Sequence, residues 1–253
     1  MIKALILYTQ FFTRIPVPLA LDEPIERMRR GIYAFTFFGF IIGVIEGIFF
    51  WIMSLLFPLS LSFFITLVFD GLITGGFHLD ALADMADGLF SSRNKEKMLE
   101  IMKDSRIGSN GVLALIFYYG LLIGGMVSFQ GVLTVKTATL LVISFSMIGK
   151  TGISLLFYKM KYAGATQGLG STFLNVKTPS IVLAQLFSML ILYTFFSWAG
   201  LIAYSCVFIV SLFYKRLVYK KVDGLNGDTI GAYACISQVI FLLSYFAASG
   251  ALV

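Results

Sequence analysis

An all-α, polytopic transmembrane helical bundle of about 6–7 spans, flanked by interfacial amphipathic helices, is what this sequence predicts, and three observations carry the expectation. Of its 253 residues 58% are hydrophobic and only 13% charged, about half the charged share of an ordinary soluble domain. Apolar runs of about 20 residues, enough to cross a hydrocarbon core of about 30 Å, recur along the chain. The cations sit almost entirely between those runs.

The N-terminal arm, residues 1–31, sets Lys3, Gln10 and Arg14 among Leu, Ile and Phe ahead of the Pro16 to Pro18 turn. That is the pattern of a short helix lying along a membrane surface. Thr13-Arg14-Ile15-Pro16-Val17-Pro18 stands where a small-residue cleavage site would be needed, so no cleaved signal peptide is expected. Spans are expected at 32–57, 59–79, 111–130, 137–158, 180–197, 199–214 and 230–250, with the tightly joined pairs open to a re-entrant reading. Gly39, Gly43 and Gly47 form a small-residue stripe suited to close helix packing. Glu46 and Asp70 are carboxylates inside spans and should face the bundle interior or a polar cavity, with ion or substrate contact as the sharper alternative. Residues 93–104 read as a further interfacial helix, with Met98, Ile101 and Met102 on its apolar side. Cys206 and Cys235 lack metal-ligand spacing and are expected to be packing residues.

The net charge is +6. Seventeen of the 19 cations fall in four stretches: the N-terminal arm, 80–110, 159–179 and 215–229. Seven spans put all four on one side, leaving Lys136 opposite and Lys150 within a span. By the positive-inside rule that side is the cytoplasm. The expectation is a multi-pass protein of the cell (inner) membrane, a single domain over 1–253, whose catalytic segment at 80–110 faces the cytoplasm. No basic-aromatic motif supports a nucleic-acid partner.

Chemistry points first to Gly75-Gly76-Phe77-His78-Leu79-Asp80-Ala81-Leu82-Ala83-Asp84-Met85-Ala86-Asp87-Gly88. A helix places Asp80, Asp84 and Asp87 on one face, within about 40° of each other. Three aligned anions repel, and a hard divalent cation such as Mg²⁺ is their natural partner, with room left for water and substrate phosphates. The bland alternative is a solvated acidic face. Lys103, Asp104 and Arg106 follow in Lys103-Asp104-Ser105-Arg106-Ile107-Gly108-Ser109-Asn110-Gly111. Arg106 and Lys103 could bind phosphate oxygens and Asp104 could complete a metal site, or Arg106 could simply anchor the adjoining span. Residues 162–174 carry Gly164, Gly168 and Gly170 with Thr166 and Gln167, a weak nucleotide-loop signal. In Asp223-Gly224-Leu225-Asn226-Gly227-Asp228-Thr229, Asp228 either caps the last span or contacts metal or ribose. His78 is the lone histidine, either a base or a satisfied packing residue, and no Ser-His-Asp pattern exists.

Taken in order, the Thr13 to Pro18 arm, the Gly75 to Gly88 motif, the Lys103 to Gly111 motif, Gly168-Leu169-Gly170 and Gly227-Asp228-Thr229-Ile230-Gly231-Ala232 resemble the adenosylcobinamide-GDP ribazoletransferase family, the cobalamin or cobalamin 5′-phosphate synthases. The resemblance covers nearly the whole chain. It implies a membrane transferase that joins adenosylcobinamide-GDP to α-ribazole or its 5′-phosphate, with Mg²⁺ as cofactor, yielding adenosylcobalamin or its 5′-phosphate and GMP. On that reading Asp80, Asp84, Asp87 and His78 are catalytic. Asp80, Asp84, Asp87 and Asp104 hold metal, and Lys103, Arg106, Gly168, Gly170 and Asp228 bind substrate. The chain departs from the family pattern at Ala81, Lys150, Ala165 and Gln167. The acidic row also resembles that of the CDP-alcohol phosphotransferases, without their full spacing. A transporter using Glu46, Asp70 and Lys150, and a purely structural partner, stay open as alternatives, as does a homo-oligomer. Membrane lipid is an expected partner.

Overall fold

The apolar stretches form helices that run back and forth and leave one polar end. A computed structural model describes residues 1–164 and 168–250; Ala165, Thr166 and Gln167 lie outside the described residues. The helices are α1 (Ile2–Phe12), α2 (Pro24–Arg30), α3 (Phe35–Ser54), α4 (Leu59–Thr74), α5 (Phe77–Leu89), α6 (Lys95–Ile101), α7 (Ser109–Phe129), α8 (Val135–Leu156), α9 (Thr178–Val222) and α10 (Gly227–Ala248). Short 3-10 turns at Gly31–Ala34 and Leu169–Phe173 complete the order. Among the described residues the only β pairing is a single bridge between Tyr162 and Leu225.

Five helices are long and apolar enough to cross a membrane, or six with the bent pair α4–α5 counted as one. This is the architecture of a multi-pass membrane protein. The 45 residues of α9 are not one rod. Ser197 leaves helical geometry at φ 53°, ψ −137°, and the Tyr204 hydroxyl donates to Gln185 Oε1 at 3.0 Å. Nineteen residues apart on a straight helix, those two would be about 29 Å apart. The chain therefore reverses at Ser197, giving the two antiparallel arms expected at 180–197 and 199–214.

The span expected at 59–79 is corrected. It breaks at Gly75 and Gly76, which take φ of 66° and 69°, the left-handed region open to glycine and costly to residues with a Cβ. The break turns α5 by 91° from α4. We read α4 as the spanning part and α5 as lying across the polar end. The N-terminal helix α1 packs one face on the bundle. Its inner face buries Leu7, Tyr8 and Phe12, the rings of Tyr8 and Phe12 packing on Phe35, and the Tyr8 hydroxyl donates to Met28 O at 2.7 Å. Gly39 and Gly43 of α3 let the backbone of α8 approach at Ser146 and Ile143, while Gly47 faces the Ile143 side chain, so the stripe serves packing. At the heart of the bundle Ser146 Oγ donates to Glu46 at 2.8 Å, with Lys150 of α8 also buried.

Candidate functional site

Two consecutive left-handed glycines start α5 and so decide where its carboxylates point. Gly75 closes α4 while the side chain of Arg14 lies against it, and the Arg14 N–H donates to Ile73 O at 2.6 Å. From this elbow α5 runs along the start of α10, with Ala81 close against Gly231. That packing brings Asp80 to the same cavity as Asp228, although the two are far apart in sequence.

The cavity is about 330 Å³ and is lined by Asp80, Lys103, Tyr162, Gly168, Asn226 and Asp228, with Phe77 and Leu99 among its apolar walls. Its rim is tied together. Ala163 N donates to Leu225 O at 2.9 Å and Leu225 N to Lys161 O at 2.8 Å, Gly168 N donates to the Tyr162 hydroxyl at 2.8 Å, and Lys95 pairs with Asp223 at 2.6 Å. Gly170 lies directly on the backbone of Gly227, beneath the cavity rather than in its wall.

Negative charge converges here. Partial burial, with the charges of Asp80, Asp228 and Asp87, pushes the Asp84 carboxyl up to about 7, since each neighbour disfavours a further anion. Among the ion pairs of the described residues none involves Asp80, Asp84 or Asp228. Asn226 Nδ2 donates to Asp228 Oδ2 at 3.1 Å. The cap of α10 is Asn226, whose Oδ1 accepts from Thr229 N at 2.9 Å while Thr229 Oγ1 accepts from Asn226 N at 2.9 Å. The capping role open to Asp228 is thus filled two residues earlier, and its carboxylate is left to the cavity.

Other predicted residues are drawn elsewhere. Asp87 accepts the backbone N–H of Gly108 at 2.6 Å and of Gly111 at 2.9 Å, one on each oxygen. Asp104 is engaged by Arg106, through Nη2 at 2.6 Å and Nε at 3.1 Å, and those bonds hold its carboxyl down at about 2. His78 does not line the acidic cavity. Its ring stacks on Phe12 at 5.9 Å, and its Nε2 is shut off from solvent without a hydrogen-bond partner. Among the described residues no three His, Cys, Asp or Glu side chains close into a metal cage.

The chain matches the cobalamin-5-phosphate synthase family over residues 4–246. It belongs to that family. An adenosylcobinamide-GDP ribazoletransferase of Listeria welshimeri is 45% identical over 240 residues, covering 95% of this chain and 96% of that protein. Proteins of the same name from Clostridium novyi and Clostridioides difficile are 38% and 35% identical, each covering at least 95% of both chains. No solved structure matches. As a cobalamin-5-phosphate synthase family member the chain is an enzyme of cobalamin biosynthesis.

For a member of this family, two cavity residues escaped sequence reasoning as site candidates. Asn226 carried a signal, the Asn-x-x-Thr capping pattern that fixes its side chain at the start of α10. Tyr162 carried none, because only the bridge to Leu225 brings it over the acids.

Proposed function

We propose that this enzyme is a Mg²⁺-dependent transferase of the cell membrane that joins adenosylcobinamide-GDP to α-ribazole or its 5′-phosphate, releasing GMP, at the cytoplasmic end of the bundle. The observation that carries the reading is the convergence of Asp80 and Asp228 on one cavity beside Lys103, with Asp84 near enough to feel the charge of both acids. Hard carboxylate oxygens fit Mg²⁺. The lack of a closed three-residue cage fits it also, because this ion usually keeps several waters and takes one or two carboxylates plus substrate phosphates.

The metal assignment is narrower than the sequence expectation. Asp80 and Asp228, which share the cavity, are the proposed ligands, with Asp84 adding charge beside them, since Asp87 is engaged by the start of α7 and Asp104 by Arg106. When bound, the ion supplies charge neutralisation on the diphosphate and on departing GMP. The residues do the rest. Lys103, on the cavity wall, steadies the oxygens of the phosphorus next to the cobinamide oxygen. A ribose hydroxyl of α-ribazole attacks that phosphorus in line, its proton passes to a carboxylate of the acidic set, and the bond to GMP breaks as the new phosphodiester forms. Tyr162 and Phe77 offer flat apolar walls for a base. His78 faces the bundle interior, which argues against it as the base, and Arg106 keeps Asp104 as its partner.

Detergent-purified chain incubated with adenosylcobinamide-GDP, α-ribazole and Mg²⁺ should yield GMP and completed corrinoid in equal amounts. GMP formation that needs no α-ribazole, or turnover of a CDP-activated lipid in its place, would overturn the assignment.

A further inference from the structure

A second, larger cavity lies apart from the acidic site. It measures about 780 Å³, between the N-terminal arm and the start of α9, and Arg29, Arg30, Tyr33, Asn175 and Lys177 line it together with Glu26. It shares no lining residue with the acidic cavity. We propose that this cavity holds the phosphate headgroup of an anionic phospholipid.

Charge is the first argument. Three cations face a single carboxylate. Glu26 accepts from both guanidiniums, Arg29 through Nη2 and Arg30 through Nε, which sets the two side by side at the end of α2. Each guanidinium has five N–H donors, so one bond to Glu26 leaves others for phosphate oxygens. Lys177 approaches from the other wall as the N-cap residue of α9, at the positive end of that helix's dipole.

The surroundings decide between a lipid and a soluble phosphate. The cavity lies beside the starts of α3 and α9, and exposed apolar residues follow along both helices. Phe37 of α3 meets Phe187 of α9 edge to face, centroids 5.5 Å apart, and closes the seam below. Around that seam Ile41 is 37% exposed, Leu183 55% and Leu190 62%, each about one helical turn from one of the two rings. Tyr33, 37% exposed, is an aromatic residue of the kind enriched at membrane interfaces. Acyl chains running down this wall place a headgroup between Arg30 and Lys177. The cavity also lies on the cation-rich side of the bundle, which faces the leaflet that carries anionic lipid. The proposal needs the helices to span a bilayer and does not depend on the substrates of the acidic site.

Native mass spectrometry of the full chain, released from nanodiscs containing equal phosphatidylglycerol and phosphatidylcholine of the same acyl chains, tests it. Wild type should retain phosphatidylglycerol over phosphatidylcholine by about tenfold. The Arg29→Gln/Arg30→Gln/Lys177→Gln variant should lose that preference, and Lys136→Gln, at the opposite end, should keep it. Should the triple variant melt early, Lys177→Gln alone, which breaks none of the ion pairs described above, should still lower retention about threefold. Equal retention of both lipids by wild type, undiminished retention in the folded variants, or full displacement of phosphatidylglycerol by excess inorganic phosphate would each overturn the proposal, the last by making this a soluble-anion site.

Discussion

Asp87 and Gly111 are joined by a hydrogen bond of 2.9 Å from the Gly111 N–H to Oδ1, and through it the acidic helix holds the first turn of the next span. The second oxygen takes the N–H of Gly108 at 2.6 Å. A Cβ on either glycine would collide with that carboxylate, so residue type on both sides is set by the contact. Asp87→Asn turns one acceptor into an amide facing an N–H. The expected cost is about 2 kcal/mol, the loss of a charge-assisted bond with a donor left unmade. Thermal unfolding in detergent should show a lower Tm, with turnover falling as folded protein is lost.

Asp80 and Asp228 should behave in the opposite way. Neither belongs to an ion pair among the described residues, and both face the same cavity as neighbouring acids. Asn at either position relieves repulsion, so Tm should hold or rise while turnover drops at least about a hundredfold, the scale of a lost electrostatic contact to a reacting phosphoryl group. A normal rate in well-folded Asp80→Asn would remove that residue from the proposed metal set.

The Asp84 carboxyl gives a pH signature. It ionises near 3.8 in an unfolded chain and near 7 in the fold, raised first by burial and then by Asp80, Asp228 and Asp87. Between those values the folded state binds more protons than the unfolded one, so this group's contribution to stability falls as pH rises through that window and is fully lost above about 7. Mg²⁺ should offset the loss only once the carboxyl is ionised. The rise in Tm on adding Mg²⁺ should therefore be larger at about pH 8 than at about pH 6. Asp84→Asn should flatten the difference, and an equal rise at both pH values would break the link between this group and the ion.

The elbow allows a paired comparison. Gly75 and Gly76 have nearly the same positive φ, yet a Cβ on Gly75 would run into the Arg14 side chain while one on Gly76 would meet nothing within 4 Å. Gly76→Ala should cost only the left-handed penalty of about 1–2 kcal/mol. Gly75→Ala should cost more, because Arg14 must also move. Matching melting temperatures for the two variants would mean that Arg14 yields freely.

How far the sequence reached is clearest along α4 and α5. The apolar run at 59–79 was legible as a span, but its break was not, because Gly75-Gly76 reads equally well as tolerated helix glycine. The reversal of α9 at Ser197 agrees with the separate apolar runs expected at 180–197 and 199–214, which are also open to a re-entrant reading. The row of Asp80, Asp84 and Asp87 was visible from helical spacing alone. Spacing could not say that Asp87 would turn to α7 and Asp228 would take a place beside Asp80 and Asp84, because both outcomes depend on how α7 and α10 pack on α5. Short motifs carry local geometry, and a site made where three helices meet is only partly local.

The buried group at the bundle centre supplies the remaining prediction. Lys150 is 5% exposed and Glu46 3%. Asp70 lies in the same polar pocket as Lys150 and Ser146, and Ser146 Oγ donates to Glu46. Lys150, whose Nζ lies over the Phe12 ring, makes no ion pair with either acid among the described residues, so Lys150→Met, which removes only the nearby cation, should cost less than the about 3–5 kcal/mol of breaking a buried ion pair. Combining it with Glu46→Gln and Asp70→Asn removes the uncompensated charge, so most of the lost stability should return. Melting curves decide the structural part, and turnover of the folded triple variant decides whether the cluster does anything more. An ionic scaffold predicts near-normal rates, because none of the three lines the acidic cavity. Loss of turnover with full stability would show that the membrane-buried charges act on the reaction, and the division between a packing core and a reactive polar end would then have to be redrawn.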